Sequence, residues 1–151
     1  MKRRLSQVTL AFAAILPLAA QAQQAAQKPA AEWKHQVRQL SRAEVDALLA
    51  HPESLTVLDV RRPDELIAKG SFPAFLNIQA ADVEKQLAYI PRDRVILTVS
   101  NHAHRAGAIG DLLAARGYKV AGATGSEDYE QQGGTVAHIR PPAPKLAAAP
   151  N

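Results

Sequence analysis

Val95-Ile96-Leu97-Thr98-Val99 runs directly into Ser100-Asn101-His102-Ala103-His104-Arg105, and then into a stretch carrying Ile109, Leu112 and Leu113. The first five residues are branched or apolar without alternation, which predicts a strand buried on both faces. Ile109, Leu112 and Leu113 are spaced three and four apart, which predicts a helix with one apolar face. The six residues between them form a tight loop from a strand end to a helix N-terminus. Such a loop aims backbone N–H groups, the positive helix end and one arginine at a common point, which suits an anion.

Strands and helices alternate outward from this unit. Ser41-Arg42-Ala43-Glu44 is a capping box opening a short helix whose Val45, Leu48 and Leu49 face inward, and His51-Pro52-Glu53 ends it. Leu55-Thr56-Val57-Leu58-Asp59-Val60 reads as a buried strand, and Arg62-Pro63-Asp64-Glu65 as a helix start with proline in the first turn. Residues 75–78 predict a short strand, 80–89 a helix through Val83 and Leu87, and 94–99 the second buried strand. The longest helix is expected over 106–116, stopped by Gly117 in the left-handed conformation. Tyr118-Lys119-Val120-Ala121 reads as the final strand, and 127–132 as a last helix before Gly133-Gly134. This order predicts an α/β fold, a small doubly wound parallel sheet with helices on both faces. Ligands in such sheets bind beyond the carboxyl ends of the strands, where the loops after Val60 and Val99 lie.

Both ends of the chain differ from this middle. Lys2, Arg3 and Arg4 precede an uncharged run from Val8 to Ala20, and Ala20-Gln21-Ala22 has the small-x-small form of a cleavage site. The run is shorter than the roughly 20 residues of a spanning helix and contains Pro17. Residues 1–22 therefore read as a secretory signal, and the expected location is periplasmic or secreted. Membrane contact is expected only through that signal before cleavage. Residues 23–34 are Gln/Ala-rich and read as a flexible tether, 35–137 as the folded domain, and 138–151 as a Pro/Ala-rich disordered tail.

Cleavage changes the charge argument. The whole chain carries 18 Lys+Arg against 14 Asp+Glu, but three of the basic residues lie in the signal, leaving 15. The near-neutral remainder, without a basic stripe, argues against nucleic acid as a partner. The chain has no cysteine, so an exported domain must rely on its core rather than on disulfides.

Several segments in order resemble the rhodanese-like family. Leu58-Asp59-Val60-Arg61, with Glu65 four residues on, is similar to its Asp-Val-Arg…Glu signature. Gly70-Ser71-Phe72-Pro73-Ala74-Phe75-Leu76-Asn77-Ile78 resembles its Gly-His-Ile-Pro-Gly-Ala-Ile-Asn-Ile segment. Residues 95–105 match its strand and active loop, and Gly117-Tyr118-Lys119-Val120 and Gly125-Ser126 its later turns; Tyr129 falls near its usual tryptophan. The likeness covers residues 35–136. It implies a sulfurtransferase fold whose loop runs Cys-x-x-Gly-x-Arg, with sulfur carried as a persulfide on the cysteine. Here Ser100 stands at the cysteine position and Ala103 at the glycine. A hydroxyl cannot store sulfane sulfur. The expectation is a fold and an anion cradle without the activity: a pseudoenzyme binding a small oxyanion or an exported partner protein. The alternative is an enzyme of the same family acting on thiosulfate or a related donor without a cysteine persulfide.

The candidate site is the loop Ser100, Asn101, His102, Ala103, His104 and Arg105, supported by Asp59, Arg61 and Glu65. No catalytic residue, cofactor or metal is assigned. Ser100 as a nucleophile would need a base in reach, with His102, His104 or Asp59 as candidates. His102 and His104 could ligate a metal, but spacing supplies no third ligand. A cation at a helix N-terminus is unfavourable alone. Arg105 is thus explained equally by a bound anion or by a salt bridge to Asp59 or Glu65, with Arg61 as the internal partner of such a pair. Asp59 and Glu65 read as carboxylates that accept loop N–H groups rather than as an acid/base pair. Ala103 is expected to strain the loop by about 1 kcal/mol if its backbone takes positive φ.

Overall fold

The computed structural model describes residues 32–138. The expected signal, most of the expected tether and most of the expected tail lie outside the described residues.

Four parallel strands form the sheet in the order β2-β1-β3-β4. They are β1 (Leu55–Asp59), β2 (Leu76–Asn77), β3 (Val95–Ser100) and β4 (Val120–Gly125). The helices are α1 (Arg42–Leu49), α2 (Pro63–Lys69), α3 (His104–Ala115) and α4 (Ser126–Gln131). β1 and β3 pair in register from Leu55↔Val95 to Asp59↔Val99, so the two strand ends lie side by side. The architecture is the expected α/β one.

The strands are apolar on both faces because both faces are covered. Leu55, Val57, Leu97 and Val99 pack with Val45 of α1, Phe72 and Tyr129 of α4. Their neighbours Leu58, Val60 and Ile96 pack on the other side with Val83, Ile109 and Leu113 of the opposite helices. The period of two along each strand sends alternate side chains into the two cores.

Local signals fix most element ends. Glu44 Oε2 accepts the Ser41 backbone N–H at 2.9 Å, completing the α1 capping box. Pro63 opens α2, and Gly117 after α3 has φ +80°. Three elements depart from expectation. Residues 80–89 form a 3₁₀ segment broken at Gln86 (φ −114°, ψ 17°) rather than one helix. The longest helix begins two residues earlier than predicted, at His104. The last strand begins at Val120 and runs through Ala121-Gly122-Ala123-Thr124-Gly125, whose small residues carry little strand signal.

Candidate functional site

At the end of β1 the chain turns inward. The Asp59 and Arg61 side chains are fully buried and joined by a forked ion pair, Nε to Oδ1 at 2.9 Å and Nη2 to Oδ2 at 2.7 Å. The remaining guanidinium hydrogens are all used. Nη1 donates to Asn101 Oδ1 and Ser126 Oγ, both at 2.9 Å, and Nη2 to the Gly70 carbonyl at 2.8 Å. Asp59 also accepts the Ser71 hydroxyl at 2.6 Å and the Arg61 backbone N–H at 3.2 Å. A buried pair is tolerable only when its hydrogen-bonding capacity is filled in this way. Arg61 thereby ties together β1, the end of α2, the 100–105 loop and the start of α4.

Asn101 carries this network outward. Its Oδ1 faces Arg61, and its Nδ2 donates to Glu65 Oε1 at 2.8 Å. Glu65 meets a second fork, from Arg105 Nη2 to Oε1 at 2.7 Å and from Nη1 to Oε2 at 3.1 Å. The carboxylate also accepts the Arg62 backbone N–H at 3.0 Å. The Arg105 hydrogen bonds hold the Glu65 pKa down at about 2, against the upward push of burial. Of the two explanations for Arg105, the carboxylate partner is present, and it is Glu65 rather than Asp59.

Ser100 is buried, and its hydroxyl is engaged twice. Oγ donates to the His102 carbonyl at 2.7 Å and accepts the Ala106 N–H at 3.0 Å, capping the first turn of α3. No histidine ring partners it. The His102 ring pairs through Nδ1 with Asp128 Oδ1 at 2.8 Å, and the Ala103 N–H reaches Asp128 Oδ2 at 3.3 Å. The His104 ring neighbours Trp33 and His35, with ring centroids 5.5 Å and 5.9 Å away. The two loop histidines therefore diverge, and no group of three His, Cys, Asp or Glu able to hold a metal is found among the described residues. Ala103 has φ −52° and ψ −19°, so the expected strain is absent: an αR residue accepts a methyl group freely.

The structure thus brings all nine sequence-assigned residues to the adjoining ends of β1 and β3. Sequence reading missed Ser71, Ser126 and Asp128 as partners. Ser126 had a partial signal in the Gly125-Ser126 turn. Asp128 had none, since it lies 26 residues from His102.

No family model matches the sequence, and no curated protein matches it significantly. Solved structures do. A rhodanese-related protein from Thermoplasma volcanium superposes with a TM-score of 0.58 at 27% identity, over 66% of this chain and 97% of that one. The fold is rhodanese-like. A thiosulfate sulfurtransferase from Pseudomonas aeruginosa is similar at 26% identity and a TM-score of 0.54, over 68% of this chain. The rhodanese-like chain spans only 20% of that enzyme's length. A possible tyrosine phosphatase from Rhodopseudomonas palustris shares the fold at 19% identity and a TM-score of 0.56, over 67% of this chain and 85% of that one. Against this background the cysteine-free rhodanese-like chain keeps the strand, loop and helix, with Ser100 at the end of β3.

Proposed function

We propose that this is an exported, non-catalytic rhodanese-like module that docks a partner protein on the face around loop 100–105. One observation carries the non-catalytic reading: Ser100 occupies the position of the family's sulfur-carrying cysteine, and its one hydroxyl hydrogen is committed to the His102 carbonyl. Sulfur storage needs a thiolate, and the chain contains no cysteine. Nucleophilic attack by the hydroxyl needs a base in hydrogen-bond reach, and both loop imidazoles have other neighbours.

The internal ion pairs favour a protein over a small anion. An entering anion would have to displace Glu65 from Arg105 and Asp128 from the Ala103 N–H. A protein surface needs no such exchange, and the face offers it the exposed His102 ring and the half-exposed Arg105 guanidinium. A second reading rests on the first turn of α3. The N–H groups of His104 and Arg105 have no protein acceptor among the described residues. Sulfate, thiosulfate or phosphate would bind there weakly, in the millimolar range of about −4 kcal/mol.

An NMR titration with thiosulfate separates the two. Still amides over 100–106 at high anion concentration, unchanged by Arg105→Ala, remove the oxyanion reading. Saturable shifts that Arg105→Ala weakens remove the preference for a protein partner. For the partner itself, a photo-crosslinker at His102 is expected to capture an exported protein that the same group at exposed Tyr89 does not. Capture at both positions or at neither counts against the docking face.

A further inference from the structure

Residues 33–37 are attached to the domain in a manner unlike the rest of it. Trp33, His35 and Val37 are half-buried while Lys34 and Gln36 are exposed, the alternation of an extended segment with one face down. Arg38 and Leu40 beyond them bond to Ala123 of β4, each at 2.9 Å. Residues 33–37 make no backbone-to-backbone bond among the described residues. Their main-chain hold on α3 is the Val37 N–H on Asp111 Oδ1 at 2.7 Å. The other oxygen of that carboxylate faces His35 Nδ1 at 3.3 Å. Trp33 Nε1 folds back onto the Val37 carbonyl at 2.8 Å.

The bed for this segment is made by side chains that α3 lacks. A Cβ at Gly107 would overlap the His35 ring and lie 2.7 Å from the Trp33 ring, and one at Gly110 would lie 2.7 Å from Val37 Cγ2. Trp33 then meets both imidazoles, with ring centroids 4.8 Å from His35 and 5.5 Å from His104. His104 is the first residue of α3 and belongs to the loop.

We propose that residues 33–37 are a releasable strap whose docking on Asp111, Gly107 and Gly110 holds the first turn of α3 and closes the His104 side of loop 100–105. Release breaks one carboxylate latch and a few side-chain contacts, with no hydrogen-bond ladder to unzip. Segments held in this way lie at the low-stability end of a fold. The strap is an autoinhibitory contact: lifting it uncovers His104 and leaves the buried Arg61 network in place. Its consequence for binding rests on the reading of the loop as a docking face, whereas the release itself does not.

Trp33 is the one tryptophan of the chain, so its fluorescence reports the strap directly. Asp111→Ala removes the latch. Gly107→Ala fills the bed by a different route, and alanine in place of glycine favours the helix, so this variant retains the fold. Lys34→Ala, on the exposed side, is the control. In both test variants, with far-UV circular dichroism unchanged, Trp33 emission is expected to move to the red and its acrylamide quenching to rise about twofold. Amide hydrogen exchange over 101–105 is expected to accelerate about fivefold or more, while β3 amides stay protected. Lys34→Ala changes neither. Exposure of Trp33 with unchanged exchange in the loop would overturn the hold on the loop. Unmoved Trp33 emission in both folded variants would overturn the latch and bed. No ligand enters this experiment, so it stands or falls apart from the thiosulfate titration.

Discussion

The neighbouring ends of β1 and β3 are held in opposite ways. At the end of β1, Asp59 and Arg61 are removed from water, and each guanidinium hydrogen has an acceptor in the protein. At the end of β3, a single hydroxyl caps the helix, and the charged groups around it reach solvent. Asn101 is the only loop side chain that touches both systems. The loop's shape is therefore held from the β1 side, through Asn101, by the buried Asp59–Arg61 pair. Ser100 contributes a helix cap, not the framework.

The inner pair carries the largest expected effect. Asp59→Ala leaves Arg61 buried and uncompensated, and a loss of about 3–5 kcal/mol in urea unfolding is expected. Much of a small domain's stability would go with it. A loss below about 1 kcal/mol would show that the loop is not held from β1.

The outer pair comes next, and its contribution depends on pH. Arg105 depresses the Glu65 pKa from 4.5 to about 2. A depressed carboxylate stabilises the fold above its unfolded pKa and loses that contribution as pH falls through the folded value. Arg105→Ala is expected to cost about 1–2 kcal/mol at pH 7, less than the full shift implies because Arg105 is half-exposed. The gap between variant and wild type should narrow from pH 5 to pH 2. A gap independent of pH would mean that packing, not the ion pair, is what Arg105 supplies.

Ser100→Ala frees the Ala106 N–H and the His102 carbonyl, at an expected cost of about 1 kcal/mol, read from thermal or urea melts. The smallest effect belongs to Asp128→Asn at the solvent edge. A loss of a few tenths of a kcal/mol in urea unfolding is expected. An Asp128 variant as damaging as Asp59→Ala would erase the distinction between the inner and outer ends.

The sequence revealed the two strands because burial on both faces leaves an unbroken apolar run in each. β4 was misplaced at its ends because Gly122, Ala123 and Gly125 carry no such pattern; its position comes from β3 and from Arg38 and Leu40 alongside. That the nine candidate residues lie near one another was legible, because loops after parallel strands converge at one end of the sheet. Their roles were less so. An arginine reads as a surface or ligand-binding group, and nothing local announces that Arg61 is fully buried with Ser126, 65 residues away. The choice between an anion and Glu65 as the Arg105 partner was likewise a question of distance in space. The strain expected of Ala103 rested on a loop conformation that this chain does not adopt.

The proposed absence of sulfur transfer is checked by offering thiosulfate and cyanide to the purified wild-type protein, with intact-mass measurement after the thiosulfate step alone. Thiocyanate is expected at the level of the no-protein blank, with no mass gain of a sulfur atom. Ser100→Cys, in a loop where Ala103 is unstrained, is predicted to gain that sulfur and a measurable turnover. Wild-type turnover above the blank, with a covalent sulfur adduct on the protein, would contradict a non-catalytic loop.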